Sequence, residues 1–385
     1  MDAREKTKQL IGEALKEIIE EARGGVKKIR VGLMAHGSEL GSEELARGAL
    51  LVQENDPAVQ VVMIGPKIAG YETLEWIETA QDENAISETM ERALAEKTIA
   101  GAVALHYPFP LGVTTIGKVQ TPARGKACYI ASSTGTSATG RVEAMLRNAI
   151  YGIAAAKANG IKEPNVGILN LDGAQTVLRS LEKLKEKGYP VNFGASIRKD
   201  GGAILRGNDL LAGAVDVCVT DTLTGNVLMK LFSSWNTGGD YEALGWGYGP
   251  SAGEGWDKVV SIISRASGAP VIANAVSYTA KSASGALPAV VKQELAAARK
   301  AGLDEIIAAF AAKTERTEEI KMPPAVPVEE EILGIDVLAI EDAVKALWKE
   351  GIYAESSMGC TGPMIKVTTR DHERSMEILK QQNYL

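Results

Sequence analysis

Cysteine is scarce in this sequence: there are three in 385 residues, Cys128, Cys218 and Cys360. The number is odd and the spacings are long, which excludes a disulfide framework and a cysteine-based zinc site. A reducing compartment is the natural setting for such a chain. Long apolar runs are also lacking. None approaches the ~20 residues of a membrane span. The opening Met1-Asp2-Ala3-Arg4-Glu5-Lys6 has no apolar stretch behind it, so no signal peptide is expected. Positive charge is in deficit, with 42 Lys and Arg against 49 Asp and Glu and a net charge of −7. Nucleic acids and anionic membranes require a basic face, so neither is an expected partner. A small anion at a locally positive site remains compatible with this balance. By elimination the protein is expected to be cytoplasmic. No internal repeat is visible. No Gly-x-Gly-x-x-Gly follows the first strand, and no acidic cluster has metal-ligand spacing. The pattern therefore argues against a dehydrogenase and calls for neither a metal nor any other cofactor.

What is present is an ordinary globular composition, 45% hydrophobic and 24% charged, able to fill a large core without covalent staples. The length allows two or three domains at about 150 residues each. Residues 4–23 place Leu10, Ile11, Ala14, Leu15, Ile18, Ile19 and Ala22 on one helical face, and Gly24 and Gly25 end the run. We read residues 1–24 as an amphipathic N-terminal helix. A strand follows at Ile29–Met34, then a polar loop His36–Gly41 and a helix from Ser42. Short apolar runs recur at Gln60–Ile64, Gly101–Leu105, Ala127–Ala131, Asn165–Leu171, Asp216–Thr220 and Pro270–Ala273. Helical stretches lie between them at Ser87–Lys97, Ala144–Asn159 and Val177–Lys187. Strands alternating with helices predict an α/β fold of parallel sheets. Ligands of such sheets gather beyond the carboxyl ends of the strands. The loops to read are then His36–Gly41, Ser132–Gly140, Asp172–Thr176 and Asp221–Asn226.

Near residue 320 the composition changes. Pro323, Pro324 and Pro327 precede Glu329, Glu330 and Glu331, a linker composition. The expected boundaries are a core over 25–320, a linker over 321–331 and a small α+β unit over 332–385. That unit reads as a strand Ile332–Leu338, a helix Ile340–Glu350, strands Ile352–Glu355 and Met364–Thr368, and a helix Asp371–Gln382.

Three segments carry candidate chemistry. From Ile130 to Gly140, the hydroxyls of Ser132, Ser133, Thr134 and Thr136 gather with two glycines between a strand and a helix. Backbone N–H groups in such a place suit an anion such as phosphate, while Ser and Thr are equally at home as helix caps. From Val215 to Lys230, a β-branched strand ends at Asp221, and a turn with Gly225 and Asn226 opens a helix carrying Lys230. Asp221, Asn226 and Lys230 either share a cleft or are a cap and solvated helix residues. The third segment is Gly359-Cys360-Thr361-Gly362-Pro363, a thiol in a glycine-rich turn that a substrate can approach closely. A free thiol is only about a tenth ionised near neutral pH, so a nucleophilic Cys360 needs a base, a lysine or a helix end nearby. His372, twelve residues on, is one candidate. Cys128 and Cys218 lie inside apolar strands and read as inert core residues.

The runs Asn165–Gly173, Arg206–Val217, Asp221–Lys230 and Ser267–Asn274 resemble, in order, the phosphate acyltransferases of phospholipid synthesis, over roughly residues 28–310. That resemblance implies a two-domain α/β fold shared with phosphotransacetylases and isocitrate dehydrogenases, with an interdomain cleft. It also implies transfer of an acyl group from a thioester to phosphate. The family continues its Asn-Ile-Gly segment with paired acids and a lysine, whereas this chain has Val177 at the lysine position. Its phosphate site would then draw charge from Arg179 or Lys230.

The whole chain, with its C-terminal Gly-Cys-Thr-Gly-Pro turn, is similar to the alpha subunits of component C of glycine, sarcosine and betaine reductase. This similarity implies release of acetyl phosphate and an acyl-carrying thiol at Cys360. It further implies a thiolase-like beta subunit of component C as partner, with selenoprotein A delivering the carboxymethyl group and inorganic phosphate as co-substrate. A free-standing phosphotransacetylase using coenzyme A and a non-catalytic scaffold subunit are the alternatives.

Overall fold

The computed structural model describes residues 28–199, 201–315, 322–335, 339–359, 362–382 and 384–385. The chain divides into two compact units, Met1–Ile307 and Ala308–Leu385. The expected N-terminal helix and the segment 316–321 lie outside the described residues, as do Cys360 and Thr361.

The first unit is built on one twelve-stranded sheet. Its strands are β1 (Ile29–Met34), β2 (Val59–Gly65), β3 (Glu75–Glu78), β4 (Gly101–Ala104), β5 (Val113–Gln120), β6 (Ala127–Gly135), β7 (Asn165–Leu169), β8 (Asn192–Phe193), β9 (Ile204–Leu205), β10 (Val217–Val219), β11 (Gly249–Gly253) and β12 (Val260–Ile262). They lie in the order β3-β2-β1-β4-β12-β11-β5-β6-β10-β7-β8, with β9 also paired to β7. β1, β2, β4 and β12 run parallel to one another, and so do β6, β10 and β7. Between these two sets, β12–β11, β11–β5 and β5–β6 are all antiparallel. Three reversals leave the two parallel sets running in opposite directions. The sheet is therefore mixed, and mostly parallel.

Inner strands such as β1, β2, β4, β10 and β12 form because their residues are largely apolar, β-branched or small, and buried on both faces, as crossover helices require. Those helices are α1 (Ser42–Asn55), α2 (Glu83–Ala95), α3 (Arg141–Ala158), α4 (Ala174–Glu186), α5 (Gly207–Ala212), α6 (Thr222–Ser234), α7 (Ala269–Ser284), α8 (Leu287–Lys300) and α9 (Leu303–Glu315). Helix α1 buries Leu45, Ala46, Ala49 and Val52 on one side. Gly48 on the same face lets it close on α7, since an added Cβ there would stand 2.5 Å from Ile272 Cγ2.

The strand expected at Pro270–Ala273 is instead the first turn of α7. Gly268 caps the helix and Pro270 sits in its first turn, where a missing N–H costs nothing. The buried face continues at helical spacing through Ala275, Val276, Thr279 and Ala280. The expected loop Ser132–Gly140 begins later than the sequence indicates. Ser132–Gly135 extend β6, held by register with β5 across a bulge between Thr115 and Ile116.

The second unit pairs β13 (Glu330–Leu333), β14 (Ala354–Gly359) and β15 (Gly362–Val367) antiparallel in the order β13-β15-β14, with helices α10 (Ile340–Lys349) and α11 (His372–Gln381). It has its own core, including Ile332, Val344, Leu347, Ile365, Val367 and Leu379. The β14–β15 ladder reaches Gly359 paired with Gly362. Among the described residues no helix is long and apolar enough to cross a membrane.

Candidate active site

Three adjoining cavities mark a cleft in the first unit. One, of about 250 Å³, is bounded among others by Thr134, Asn226, Lys230, Tyr248, Ser264 and Arg265. A second, of about 400 Å³, shares Thr134 and Ile262 with it and adds His106, Tyr107 and Phe109. A third, of about 20 Å³, joins His36 and Glu83 to His106 and Arg265. The strand-end rule accounts for much of this lining. His36 follows β1, His106 follows β4 and Ser264 follows β12. All three leave the carboxyl ends of one parallel set, and Thr134, near the end of β6, comes from the other.

The hydroxyl cluster is used unevenly. Ser132 and Ser133 are fully buried. Ser132 accepts from Thr114 and shares a hydrogen bond with Thr222 Oγ1 at 3.0 Å. The Ser133 hydroxyl donates to Tyr248 O at 2.6 Å and meets Thr115 Oγ1 at 2.8 Å. These hydroxyls join β5, β6 and α6, and neither lines the three cavities. Thr134 is tied to Thr115 Oγ1 at 2.8 Å and lines two of the cavities. Thr136 is exposed, pairs through its backbone with Gly112 and Val113, and lines none of the three.

Helix α6 lies against this ladder at close range. A Cβ at Gly225 would stand 1.7 Å from Ser132 O, so only glycine permits the approach. Asp221 caps the helix, accepting from Thr224 N at 2.9 Å and from Thr224 Oγ1 at 3.0 Å. The capping reading is thus the one its geometry supports. Asn226 donates to Ser133 O at 3.0 Å and, with Lys230, borders the 250 Å³ cavity. The structure therefore brings Thr134, Asn226 and Lys230 together. It leaves Ser132, Ser133 and Asp221 behind them as supports, and Thr136 outside. Val177 is buried in the core. Arg179 is exposed beside Thr176 and lines none of these cavities.

Lys230 Nζ lies 3.8 Å from Glu242 Oε1 and 5.6 Å from the centre of the Tyr248 ring. Glu242 is buried and accepts from Tyr248 OH at 2.9 Å and from Ser267 Oγ at 3.3 Å. Burial pushes its carboxyl up from the ordinary range, against the opposing pull of Tyr248 and Lys230. Burial, with the Glu242 charge, holds the Tyr248 hydroxyl well above its usual value. The arrangement fixes a lysine at the cavity mouth through a buried acid.

Sequence reasoning missed Arg265, His106, Glu242 and Tyr248. A signal existed for Arg265, because Val259–Ile263 is a β-branched run directly before Ser264-Arg265. Glu242 carries no such signal, since its loop becomes a site only through burial. Cys128 and Cys218 are buried in β6 and β10. Burial pushes the Cys128 thiol up to about 12 and raises Cys218 well above its ordinary value, so neither is a thiolate near neutral pH.

The family model described as "Fatty acid synthesis protein" matches residues 29–366. The alpha subunit of component C of the glycine/sarcosine/betaine reductase complex of Peptoclostridium acidaminophilum is 50% identical over 378 residues, 97% of each chain. A phosphate acyltransferase of Thermotoga petrophila is 27% identical over 234 residues, 53% of this chain and 67% of that one. The phosphotransacetylase EutD of Staphylococcus aureus superposes with a TM-score of 0.44 at 13% identity, over 68% of this chain and 96% of that one. Matched over most of its length, and half-identical to that reductase subunit along nearly all of it, the chain belongs to the fatty acid synthesis protein family, among the alpha subunits of component C of glycine/sarcosine/betaine reductase.

Proposed function

We propose that this chain acts within a glycine/sarcosine/betaine reductase complex as the subunit that transfers an acetyl group from an enzyme thioester to inorganic phosphate, forming acetyl phosphate. The observation that carries this reading is the cavity bounded by Lys230, Arg265, Asn226 and Thr134. Lys230 and Arg265 outnumber the one carboxylate of the lining, Glu39, and with Asn226 and Thr134 around about 250 Å³ they suit a phosphate anion. In this reading Cys360 holds the acetyl group. A phosphate oxygen attacks the thioester carbonyl, the new C–O bond forms, the C–S bond breaks and the thiolate leaves. Backbone N–H groups offset the charge on the tetrahedral oxyanion. The thioester keeps the acyl group activated and divides one transfer into two easier ones. Its partners are a thiolase-like beta subunit and selenoprotein A carrying the carboxymethyl group.

The test is acetyl phosphate formation, followed as the hydroxamate, by the chain assembled with its partner subunits. Lys230→Ala should raise the half-saturating phosphate concentration by roughly tenfold or more, as loss of a charge-assisted contact implies, with little change for the acyl donor. An unchanged phosphate dependence would remove Lys230 from the site. Robust turnover of acetyl coenzyme A by the chain alone would instead indicate a free-standing phosphotransacetylase.

A further inference from the structure

On the face of the sheet away from α6, one lysine stands in unusual surroundings. A Cβ on Gly117 of β5 would meet Met229 of α6 at 2.5 Å, so the next residue, Lys118, points to the opposite face. There three aromatic side chains enclose its ammonium. Nζ lies 4.5 Å from the centre of the Trp246 ring, 5.2 Å from that of Tyr129 on β6 and 5.4 Å from that of Tyr278 on α7. Each is within the ~6 Å reach of a cation–π contact. Lys157, Lys230 and Lys258 each meet a glutamate. Among the described residues the Lys118 ammonium meets neither a carboxylate nor a hydrogen-bond acceptor. The charge that acts on it is a second cation, Lys281, one turn on from Tyr278 on the same face of α7. Asp216, the acid on the Tyr129 side, lies 3.9 Å from Lys126. Burial holds the hydroxyls of Tyr129 and Tyr278 well above their usual values, so neither supplies a negative charge. Burial, with the repulsion from Lys281, lowers the Lys118 ammonium to about 8. Roughly a quarter of it is then neutral at about pH 7.5, against about 0.1% for a solvated lysine. Tyr129 and Tyr278 are buried, whereas Lys118 and Trp246 are part-exposed, so the amine is reached from the Trp246 side.

We propose that Lys118 is a modification site for acyl phosphates, its amine taking the acetyl group of acetyl phosphate. The neutral Nζ attacks the carbonyl carbon. A C–N bond forms, the C–O bond to phosphate breaks, inorganic phosphate leaves and the nitrogen gives its extra proton to water. A desolvated lysine beside a second cation is an arrangement that makes an amine nucleophilic near neutral pH. Lys281 also attracts the phosphate end of the reagent. That acetyl phosphate arises on this protein rests on the proposed function above. The product amide carries no charge, so the cation–π contacts of Trp246 are lost. Trp246 N donates to Lys118 O at 3.0 Å and Lys118 N donates to Gly247 O at 3.3 Å. Modification therefore falls where β5 holds the segment that leads into Tyr248 of the cleft.

Peptide mapping by mass spectrometry, on the full chain treated with added acetyl phosphate, tests this. Supplying the reagent makes the outcome independent of whether this protein forms it, so a failure here leaves the proposed function standing. At about pH 7.5 Lys118 should be acetylated roughly tenfold faster than exposed lysines such as Lys183 and Lys292, the lower basicity of its amine taking back part of the gain in neutral fraction. Its rate should level off above about pH 8, where the amine is already neutral. Lys118→Arg should remove that label and leave the others unchanged. Trp246→Ala opens the cage to water and stabilises the ammonium, so labelling at about pH 7.5 should fall severalfold although access improves. Thermal melting identifies a variant that has lost its fold, and the wild-type pH profile then carries the test by itself. Three results would overturn the proposal: Lys118 labelled no faster than Lys183 and Lys292, a Lys118 rate that still climbs above about pH 9, or a folded Trp246→Ala chain labelled faster than wild type.

Discussion

A buried carboxylate beside a half-exposed lysine has a definite sign in its pH dependence. Glu242 is buried among Tyr248, Ser267 and Lys230, and its folded-state pKa is raised, chiefly by desolvation. The folded protein then holds this proton at pH values where the unfolded chain has released it. The contribution to stability is present below the ordinary carboxylate pKa and is lost as pH rises through the raised one. Glu242→Gln removes that dependence and keeps an oxygen for Tyr248 OH. Urea unfolding of the variant should show its stability improving relative to wild type from pH 4 to pH 7; a constant difference would mean that Glu242 titrates normally. Glu242→Ala leaves the Tyr248 hydroxyl buried without its acceptor and should cost ~1–3 kcal/mol. Little of this was legible in advance. The carboxylate earns its role from burial and from contacts with residues 6 and 25 positions along the chain, which no local pattern encodes. The reverse holds for Asp221, where the capping residue and the helix it caps are adjacent and both can be read from the sequence.

At the scale of elements, strands that lie in short apolar runs were legible: β1, β2, β4, β6, β7 and β10 all do. β11 was not, because Gly249-Pro250-Ser251-Ala252-Gly253 has neither alternation nor branched residues. It is a strand because β5 and β12 on either side supply its partners. Missing β5 and β11 concealed the three reversals and the opposed direction of the two parallel sets. Pro270–Ala273 failed for a related reason, since a short apolar run fits a strand or a helix equally well. The contact between α6 and β6 allows a sharp test. At Gly225 an added methyl meets the Ser132 carbonyl oxygen, a backbone atom that cannot swing aside. Gly225→Ala should therefore destabilise the protein by about 1–3 kcal/mol or more, although alanine favours helix over glycine by ~1 kcal/mol. It should also weaken phosphate use, because the helix that moves carries Asn226 and Lys230. A stabilised variant, as propensity alone would give, would show that the helix is free to retreat.

At the scale of the whole molecule, the two units differ in how much core each contains. The first buries residues from β1 to α8 in layers on both sides of one sheet. Among the described residues from Met322 on, the second has three short strands and two helices over a small cluster of buried residues. A domain of about 60–80 residues buries the smaller share of its unfolded surface and is correspondingly marginal. Among the described residues the two cores have no member in common, and the proline-rich stretch after residue 321 has the composition of a linker. A chain ended at residue 320 should therefore melt in one cooperative transition close to that of the main transition of the full protein, and still bind phosphate. It should form no acetyl phosphate, because Cys360 is gone. Cys360→Ser in the full chain should reproduce that loss without removing the unit, since an unactivated serine is a far poorer nucleophile near neutral pH. Cys128→Ala and Cys218→Ala, in contrast, open space in a buried sheet and should lower stability more than rate. With arsenate in place of phosphate, the wild-type protein and its partners should release acetate through an unstable acyl arsenate. Comparing the two losses locates the chemistry. If Cys360→Ser still forms acetyl phosphate at the full rate while the truncated chain does not, the second unit contributes something other than its thiol, and the acyl group is never carried on this subunit.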